Sequence, residues 1–405
     1  MNQSSLSAPA SQPKLPDRFF SGSADQSEHL AALVAPLSQW YRQNRKSFPW
    51  RESPTPYHVW ISEIMLQQTR IEAALPYYER FLLAFPDVQA LAQAPEDELL
   101  KAWQGLGYYS RARNLKKAAK QILDTYGGAL PQDAAALKKL PGIGDYTAGA
   151  IASIAMGLPE PAVDGNVLRV IMRYTACADD VMSITVRTRV AEALRQIYPS
   201  GKEAGILTEA LMELGETVCA ANAVPRCGEC PLCRLCRAQT EGNAAILPVR
   251  KKPKPRRIEQ RTVLVLRCGT RVALRRRGEG LLAGMWELPN EPVDITPQQL
   301  DAYLAAQGVH MQAFEDLGNA KHIFSHIEWH MHGYAVTCDR CFSGKEDELI
   351  WASAQEIREK YAIPAAFAPF RTAYTDTEPA TVRQTYTDST APGRHTRTQT
   401  GKRRK

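Results

Sequence analysis

The chain has 405 residues, of which 44% are hydrophobic and 23% are charged, and its formal net charge is +7. This composition is ordinary for a globular protein and excludes a highly charged, fully disordered chain. The length allows two domains with separate cores, and the mild basic excess permits a polyanionic partner without requiring one.

The N-terminal segment 1–28 is rich in Ser, Pro and Gln and lacks periodic apolar positions, so we predict a disordered lead-in. It has neither the basic nor the apolar region of a signal peptide. No apolar run approaches the ~18 residues that a membrane helix needs. We therefore expect no membrane contact and a cytoplasmic, nucleoid-associated bacterial protein, in preference to a nuclear or mitochondrial one.

Residues 29–240 show helical spacing of apolar side chains, with short loops marked by Pro and Gly. Amphipathic helices are predicted at 59–70, 96–105 and 112–123. Glu63 lies in the first of these, between bulky apolar neighbours. A glutamate is by default a solvated surface residue, but these flanks predict partial burial, which would raise its pKa toward neutrality.

The pentapeptide 140–144, Leu-Pro-Gly-Ile-Gly, precedes a helix of small residues at 148–152. Glycines at the start of a helix expose backbone N–H groups and the positive end of the helix dipole, which suits a phosphate. This layout is typical of a helix-hairpin-helix, here about 137–152, that holds the DNA backbone without reading sequence. Gly142 and Gly144 are the predicted contacts, and an ordinary glycine turn is the alternative.

Asp164 opens the run 164–169, Asp-Gly-Asn-Val-Leu-Arg. An aspartate before an apolar helix is usually an N-cap worth about 1 kcal/mol, and that structural role is the alternative reading. Beside helix N–H groups its carboxylate should stay ionised with a low pKa, and could stabilise an oxocarbenium-like sugar. A raised Glu63 and a lowered Asp164 would match the two-carboxylate division of labour in glycosidic cleavage.

The nine cysteines are odd in number, and four of them fall between Cys227 and Cys236, which favours metal over disulfides in a reducing compartment. The predicted ligands form a C-x7-C-x2-C-x5-C pattern in a loop at 219–236: Cys219, Cys227, Cys230 and Cys236. Such grouping suits one [4Fe–4S] cluster better than a zinc ribbon, which remains the alternative. Cys233 completes an even ladder, so local spacing does not decide which four bind.

Residues 241–261 are predicted to form a basic linker, because 250–261 hold seven basic side chains against one acidic and have no apolar face. The period then changes, with strands expected at 262–268, 271–275 and 330–336. A mixed α and β domain is predicted at 262–371, followed by a disordered basic tail at 372–405. The linker or the tail could contact repair or replication proteins.

Together these motifs resemble the adenine DNA glycosylase (MutY) branch of the helix-hairpin-helix superfamily, over about residues 30–371. The resemblance is carried by seven stretches: 48–50, 60–69, 105–109, the hairpin, 164–166, 284–286 and 323–326. It implies an all-α helix-hairpin-helix glycosylase domain with an iron–sulfur cluster loop, joined to an α+β Nudix-like C-terminal domain.

The resemblance implies base excision repair by an adenine-specific DNA N-glycosylase, a monofunctional hydrolase expected to be a monomer. Its substrate would be double-stranded DNA with adenine opposite 8-oxoguanine or guanine, and its action would prevent G:C to T:A transversions. Glu63 would protonate the flipped adenine as general acid. Asp164, oriented by Asn166, would stabilise the sugar cation, with Tyr146 near that aspartate.

The resemblance also implies a set of residues that contact DNA or the extruded base: Trp50, Leu66, Gln68, Thr69, Leu106, Tyr108, Phe324, Ser325 and His326. Gln68 and Tyr108 would wedge into the duplex, and 324–326 would read the lesion. The family's usual cysteine spacing is C-x6-C-x2-C-x5-C. This chain therefore departs from it by one residue before Cys227 and by the presence of Cys233.

Three other functions compete with this interpretation. A bifunctional glycosylase-lyase needs a lysine amine for its Schiff base, at the position where Tyr146 stands. A Nudix pyrophosphatase needs a glutamate-rich helix to hold divalent metal, and 291–307 offers no such cluster. A non-catalytic mismatch-binding protein would bind the mispair and release no adenine.

Overall fold

The computed structural model describes residues 24–376, except 222, 251–254 and 343–348. A helical unit precedes a unit built on a mixed sheet, so the predicted fold class is confirmed. Most of the predicted lead-in, part of the linker and most of the tail lie outside the described residues. No helix within the described ranges has the length and apolar character needed to cross a membrane.

The described part of the helical unit holds fourteen α-helices: α1 (Ala24–Ala31), α2 (Val34–Asn44), α3 (Pro49–Glu52), α4 (Pro56–Leu66), α5 (Ile71–Ala84), α6 (Val88–Gln93), α7 (Glu96–Ala102), α8 (Ser110–Tyr126), α9 (Ala134–Leu137), α10 (Asp145–Ala150), α11 (Gly165–Tyr174), α12 (Ile184–Ile197), α13 (Lys202–Thr217) and α14 (Arg237–Thr240). A π-helical turn, Ile151–Ala155, continues α10.

Helix α1 corrects the predicted N-terminal boundary, because it begins five residues before position 29. Its Leu30 is buried in one of the two helical cores, and the His29 ring stacks on Tyr174 with centroids 4.4 Å apart. A short amphipathic helix of this kind is stabilised by tertiary packing, which the local composition does not reveal.

The flanking residues of helix α4, which carries Glu63, explain where this helix begins and ends. The Thr55 side chain accepts a hydrogen bond from the His58 N–H as N-cap, and Pro56 occupies the first helical turn. The helix ends at Leu66, earlier than the predicted position 70, and Gln68 adopts a left-handed conformation with φ 59°.

The described helices enclose two large hydrophobic cores. One is built around α4, α6 and α8, and the other around α2, α11 and α13. Trp60 and Trp103 are fully buried in the first core, and Leu37 and Ile171 in the second. The seam between two separately packed cores is a place where a cavity can open without disrupting either.

The described residues of the C-terminal unit form seven strands in one sheet: β1 (Arg257–Cys268), β2 (Arg271–Arg276), β3 (Trp286–Glu287), β4 (Asn290–Glu291), β5 (Met311–Ile323), β6 (Ile327–Cys338) and β7 (Leu349–Ser353). The order is β3-β2-β1-β6-β5, with β4 also on β1 and β7 also on β2. Strand β1 runs parallel to β6, and the other pairings are antiparallel. Its described part also holds three α-helices: α15 (Pro297–Ala306), α16 (Ala354–Glu359) and α17 (Arg371–Thr375).

The three predicted strands lie within β1, β2 and β6. Strand β1 begins inside the predicted linker, because Arg257 pairs with Ile327 in the parallel ladder with β6. Its central residues alternate between two faces, so Val263 packs into one core and Leu264 into the other.

One disulfide, between Cys268 and Cys341, joins the end of β1 to the segment that follows β6. The expectation that the cysteines would avoid disulfides is therefore wrong for this pair. The two residues are 73 positions apart in sequence. They meet because β1 and β6 run side by side in the same direction.

The two units are packed against each other. Met285 and Ala362 of the C-terminal unit are buried within the core around α4 and α8. The Lys101 ammonium donates to the Ile357 and Tyr361 carbonyls, each at 3.3 Å, at the C-terminal end of α16. A cation there also interacts favourably with the helix dipole, which helps to fix the orientation of the sheet unit.

Candidate functional site

A cavity of about 370 Å³ lies at the seam between the two helical cores. Its wall brings together eight of the residues predicted from sequence: Trp50, Glu63, Leu66, Gln68, Thr69, Tyr146, Asp164 and Asn166. Ligand cavities in proteins commonly measure roughly 300–1,000 Å³, so this space suits a molecule the size of a nucleobase.

Glu63 is 6% exposed and points into this cavity from α4. Burial raises the pKa of its carboxyl from 4.5 to about 7, a hydrogen bond from the Tyr146 hydroxyl lowers it, and the nearby Asp164 charge raises it. The predicted burial and raised pKa are confirmed. A carboxyl with a pKa near 7 is partly protonated at neutral pH and can donate that proton.

Asp164 is the N-cap of α11, where its Oδ1 accepts a hydrogen bond of 2.7 Å from the Val167 N–H. Its Oδ2 accepts a second bond of 2.8 Å from the Asn166 amide. Asp164 is therefore an N-cap, as the structural reading predicted, and it also lines the cavity. The expected lowering of its pKa is wrong: burial raises the pKa and outweighs the hydrogen bonds that lower it.

Tyr146 is hydrogen-bonded to Glu63 and not to Asp164 among the described contacts. Its hydroxyl donates to Glu63 Oε2, and Met212 Sδ lies 3.9 Å away. The resemblance implied that this tyrosine lies near Asp164. The Asp164 charge does act on the Tyr146 pKa, but the described contacts include no hydrogen bond between the two side chains. The phenol therefore fixes the direction in which the Glu63 carboxyl faces.

The sequence did not lead us to predict a further set of charged side chains on the cavity wall, formed by Arg51 and glutamates of α13. Arg51 forms ion pairs with Glu209 at 3.3 Å and with Glu213 at 2.8 Å, and all three line the cavity. Glu209, Glu213 and Glu216 stand four and three residues apart, on one face of α13. That helical spacing of three carboxylates was the available signal.

Gln68 and Tyr108 share two features. Both are non-glycine residues in the left-handed region, with φ 59° and 48°, and both side chains are exposed. Strain of this kind persists only where the surroundings impose it. Here Arg111 holds both loops: its Nη1 donates to the Gln67 carbonyl at 2.8 Å, and its Nη2 donates to the Leu106 carbonyl at 2.9 Å.

The other predicted DNA contacts of the helical unit lie outside the cavity. Gly142 has φ 80° and Gly144 is extended as the N-cap of α10, and both are exposed at the hairpin. Glycine is required at position 142 for two reasons: its positive φ, and the 2.8 Å distance at which a Cβ would lie from the Asn114 Cβ. Leu106 is 7% exposed and packs in the hydrophobic core, which corrects its expected DNA contact.

Residues 324–326 form the turn between β5 and β6 and do not reach the cavity. Phe324 is half-buried and packs edge-on against Trp329, with centroids 4.8 Å apart. Ser325 and His326 are exposed, with the hydroxyl 3.2 Å from His326 Nδ1. The phenylalanine thus anchors the turn and leaves two polar side chains facing outward.

The four predicted cysteine ligands do meet. Cys219, Cys227, Cys230 and Cys236 line one small cavity, together with Cys233. The extra residue before Cys227 is accommodated in a loop closed by the Arg226 N–H, which donates to the Val218 carbonyl at 3.0 Å. Arg173 of α11 donates to the Cys219 Sγ at 3.2 Å and so holds this thiol in place.

The donor set of this cavity is made of thiols, with no carboxylate or imidazole among its described lining residues. Across the described part of the chain, no three His, Cys, Asp or Glu side chains are close enough to hold a single metal ion. Four-iron clusters are held by cysteine thiolates, so this all-thiol donor set fits one.

Comparison with known proteins gives two family matches. Residues 61–196 match the family described as "HhH-GPD superfamily base excision DNA repair protein", and residues 262–373 match the NUDIX domain. Adenine DNA glycosylase of Rattus norvegicus is 32% identical over 81% of this chain and 74% of its own length. That of Buchnera aphidicola subsp. Acyrthosiphon pisum is 33% identical over 72% of this chain and 83% of its own. A solved thermostable thymine-DNA glycosylase is 27% identical at TM-score 0.48, covering 54% of this chain and 98% of its own.

Glu63→Gln should stabilise the protein at alkaline pH. The folded pKa of about 7 exceeds the ordinary 4.5, so the folded state holds more protons and loses stability as pH rises through that window. Glutamine removes this penalty, worth at most about 3 kcal/mol above pH 7. Urea denaturation should show a higher midpoint for the variant at pH 8 and similar midpoints at pH 4. An equal difference at both pH values would contradict the assigned pKa.

Arg111→Met should destabilise the chain by about 2–4 kcal/mol, because it leaves several backbone carbonyls without their donor. The control is Arg187→Met on the exposed face of α12, expected within about 0.5 kcal/mol of wild type. Urea unfolding of both variants measures the difference. Equal stabilities for the two variants would show that Arg111 does not hold the loops.

Proposed function

Because this chain belongs to the adenine DNA glycosylase family, within the HhH-GPD superfamily of base excision DNA repair proteins, we propose that it hydrolyses the N-glycosidic bond of adenine opposite 8-oxoguanine or guanine. The observation that carries the proposal is a buried Glu63 with a pKa of about 7, in one cavity with Asp164. Two carboxyl groups in different environments are what glycosidic cleavage uses.

The substrate base must leave the duplex to reach this cavity. Flipping costs a few kcal/mol and is easiest at a mispair, which adds selectivity. Gln68 and Tyr108, held exposed by Arg111, are positioned to fill the gap in the stack. Exposed glycines at the hairpin, Gly142 and Gly144, leave backbone N–H groups accessible to phosphate.

The chemical step then has one proton donor and one stabilising anion. Glu63 transfers its proton to a ring nitrogen of the flipped adenine, so that the base departs neutral as the C1′–N bond breaks. Asp164, oriented by Asn166, stabilises the sugar cation. Water then adds to C1′ and loses a proton to the Glu63 carboxylate, which restores the acid. Arg51 and Glu209 present a donor and an acceptor on the wall, suited to the polar edge of a purine.

We assign the enzyme as monofunctional. A lyase step needs a lysine amine within reach of C1′, and no lysine is among the described residues that line the cavity. Tyr146 instead supports Glu63. Borohydride treatment during reaction should therefore trap no covalent adduct with DNA, in contrast to a bifunctional enzyme run beside it.

We assign one [4Fe–4S] cluster to Cys219, Cys227, Cys230 and Cys236. When bound, it would supply a rigid covalent link across the loop 219–236. Arg173, buried on α11, donates to both the carbonyl and the Sγ of Cys219 and so ties this loop to the helix that Asp164 caps.

The C-terminal unit is proposed as a recognition module without nucleotide hydrolysis. Helix α15 lies within 291–307, the stretch in which a Nudix enzyme would carry its glutamate cluster, and its one carboxylate is Asp301. One carboxylate does not hold the divalent ions that pyrophosphate cleavage needs.

Single-turnover release of adenine from duplexes with A opposite 8-oxoguanine, G or T tests the reaction, with alkali revealing abasic sites. The rate should fall as pH rises through about 7, because Glu63 then loses the proton it donates. Glu63→Gln should bind the mispair and release no adenine. Release by this variant at the wild-type rate would exclude Glu63 as the acid.

Ser325→Ala with His326→Ala should narrow the preference for 8-oxoguanine over guanine by about tenfold, since hydrogen-bonding sites discriminate by about 1–3 kcal/mol. Phe324 stays in place, so the turn keeps its shape. The ratio of the two single-turnover rates measures the effect. An unchanged ratio would remove this turn from lesion recognition.

A further inference from the structure

Five thiols line the cavity of the cysteine loop, one more than a four-iron cluster requires. The fifth is Cys233. The family's spacing assigns it no role, and the reaction proposed above does not use it. Its position beside the other four is therefore the feature to explain.

The backbone of the loop places Cys233 on the same side as its neighbours. Cys230, Cys233 and Cys236 each donate their N–H to the carbonyl of the cysteine three positions earlier, at 3.2, 3.1 and 3.4 Å. Turns closed between residues three apart bring their side chains into line. Cys227, Cys230, Cys233 and Cys236 therefore face one cavity.

Packing divides the five thiols into two groups. Cys219, Cys230 and Cys236 pack against the core around α11 and α13. Cys227 does not pack against that core and lies against a small cluster with Ala244 and Leu247, which Cys236 also contacts. Cys233 likewise does not pack against that core, so Cys227 and Cys233 form the second group within the same cavity. Either of them could serve the same iron.

We propose that Cys233 is a reserve ligand, able to bind the iron of the cluster that Cys227 otherwise binds. The exchange is balanced: the Cys233 thiol gives a proton to solvent as its sulfur bonds to iron, and the departing Cys227 sulfur takes one up. No electron is transferred. The inference rests on the proposed cluster and does not depend on the DNA substrate.

The test compares four variants of the full chain, purified without oxygen: Cys227→Ser, Cys233→Ser, the double variant and Cys230→Ser. Iron, acid-labile sulfide and visible charge-transfer absorbance are measured per chain. The cluster content of Cys227→Ser and that of Cys233→Ser should each stay within about twofold of wild type. The cluster content of the double variant should fall at least about tenfold. Cys230→Ser is the matched control and should lose its cluster although Cys233 is intact.

Loss of the cluster from Cys227→Ser as complete as from Cys230→Ser would overturn the reserve ligand. Absence of iron from the wild-type protein would instead overturn the proposed cofactor, so the two failures are distinguishable.

Alkylation gives an independent readout that does not require Cys227→Ser to be as stable as wild type. Cys233 should react with iodoacetamide in the wild-type holoprotein, where it is unligated, and be protected in the Cys227→Ser holoprotein. Mass spectrometry identifies the labelled peptide. Equal labelling in both would overturn the proposal. If Cys227→Ser does not fold, chelator-driven cluster loss from Cys233→Ser decides: a rate equal to wild type contradicts the inference, and a faster rate supports it.

Discussion

Burial of the Glu63 carboxyl is the constraint around which the helical unit is organised. An ionised carboxylate is costly to remove from water unless it is paired, so a carboxyl in this position favours its protonated form. Its described side-chain hydrogen bond comes from the Tyr146 phenol, whereas Asp164 in the same cavity accepts bonds from Val167 and Asn166. The two carboxyl groups therefore differ in their hydrogen bonds and not in the effect of burial, which raises the pKa of both.

Helix α11 connects Asp164 to the cysteine loop through an arginine side chain. Arg169 donates to the Asn166 Oδ1 at 2.7 Å and to the Cys219 carbonyl at 2.8 Å. Because the Asn166 oxygen faces this guanidinium, its amide nitrogen must face Asp164. A Cβ at Gly215 would lie 2.6 Å from the Asn166 Cβ, so glycine is needed for α13 to approach. The geometry of the site thus depends on how closely α13 packs against α11 behind the cavity wall.

The parts of the site that the sequence predicted depend on neighbouring residues, whereas the parts that it missed depend on packing between distant ones. Helix α4, the hairpin glycines and the cysteine pattern were each visible in short stretches, since period, turn chemistry and ligand spacing are local. The burial of Glu63 followed from its flanks. The pKa of Asp164 did not, because desolvation comes from helices distant in sequence. Arg51, Glu209 and Arg111 were missed for a related reason: an arginine in a chain gives no sign of which carbonyls or carboxylates it will meet.

The amino-acid sequence by itself determined the order of the two units, the two carboxyl groups and the thiols available for metal, since each is a property of neighbouring residues. Only the tertiary structure decided that Glu63 and Asp164 share one cavity, that Cys268 pairs with Cys341, and that Cys233 faces the other thiols. These facts depend on which surfaces pack together, and packing is set by the whole chain at once.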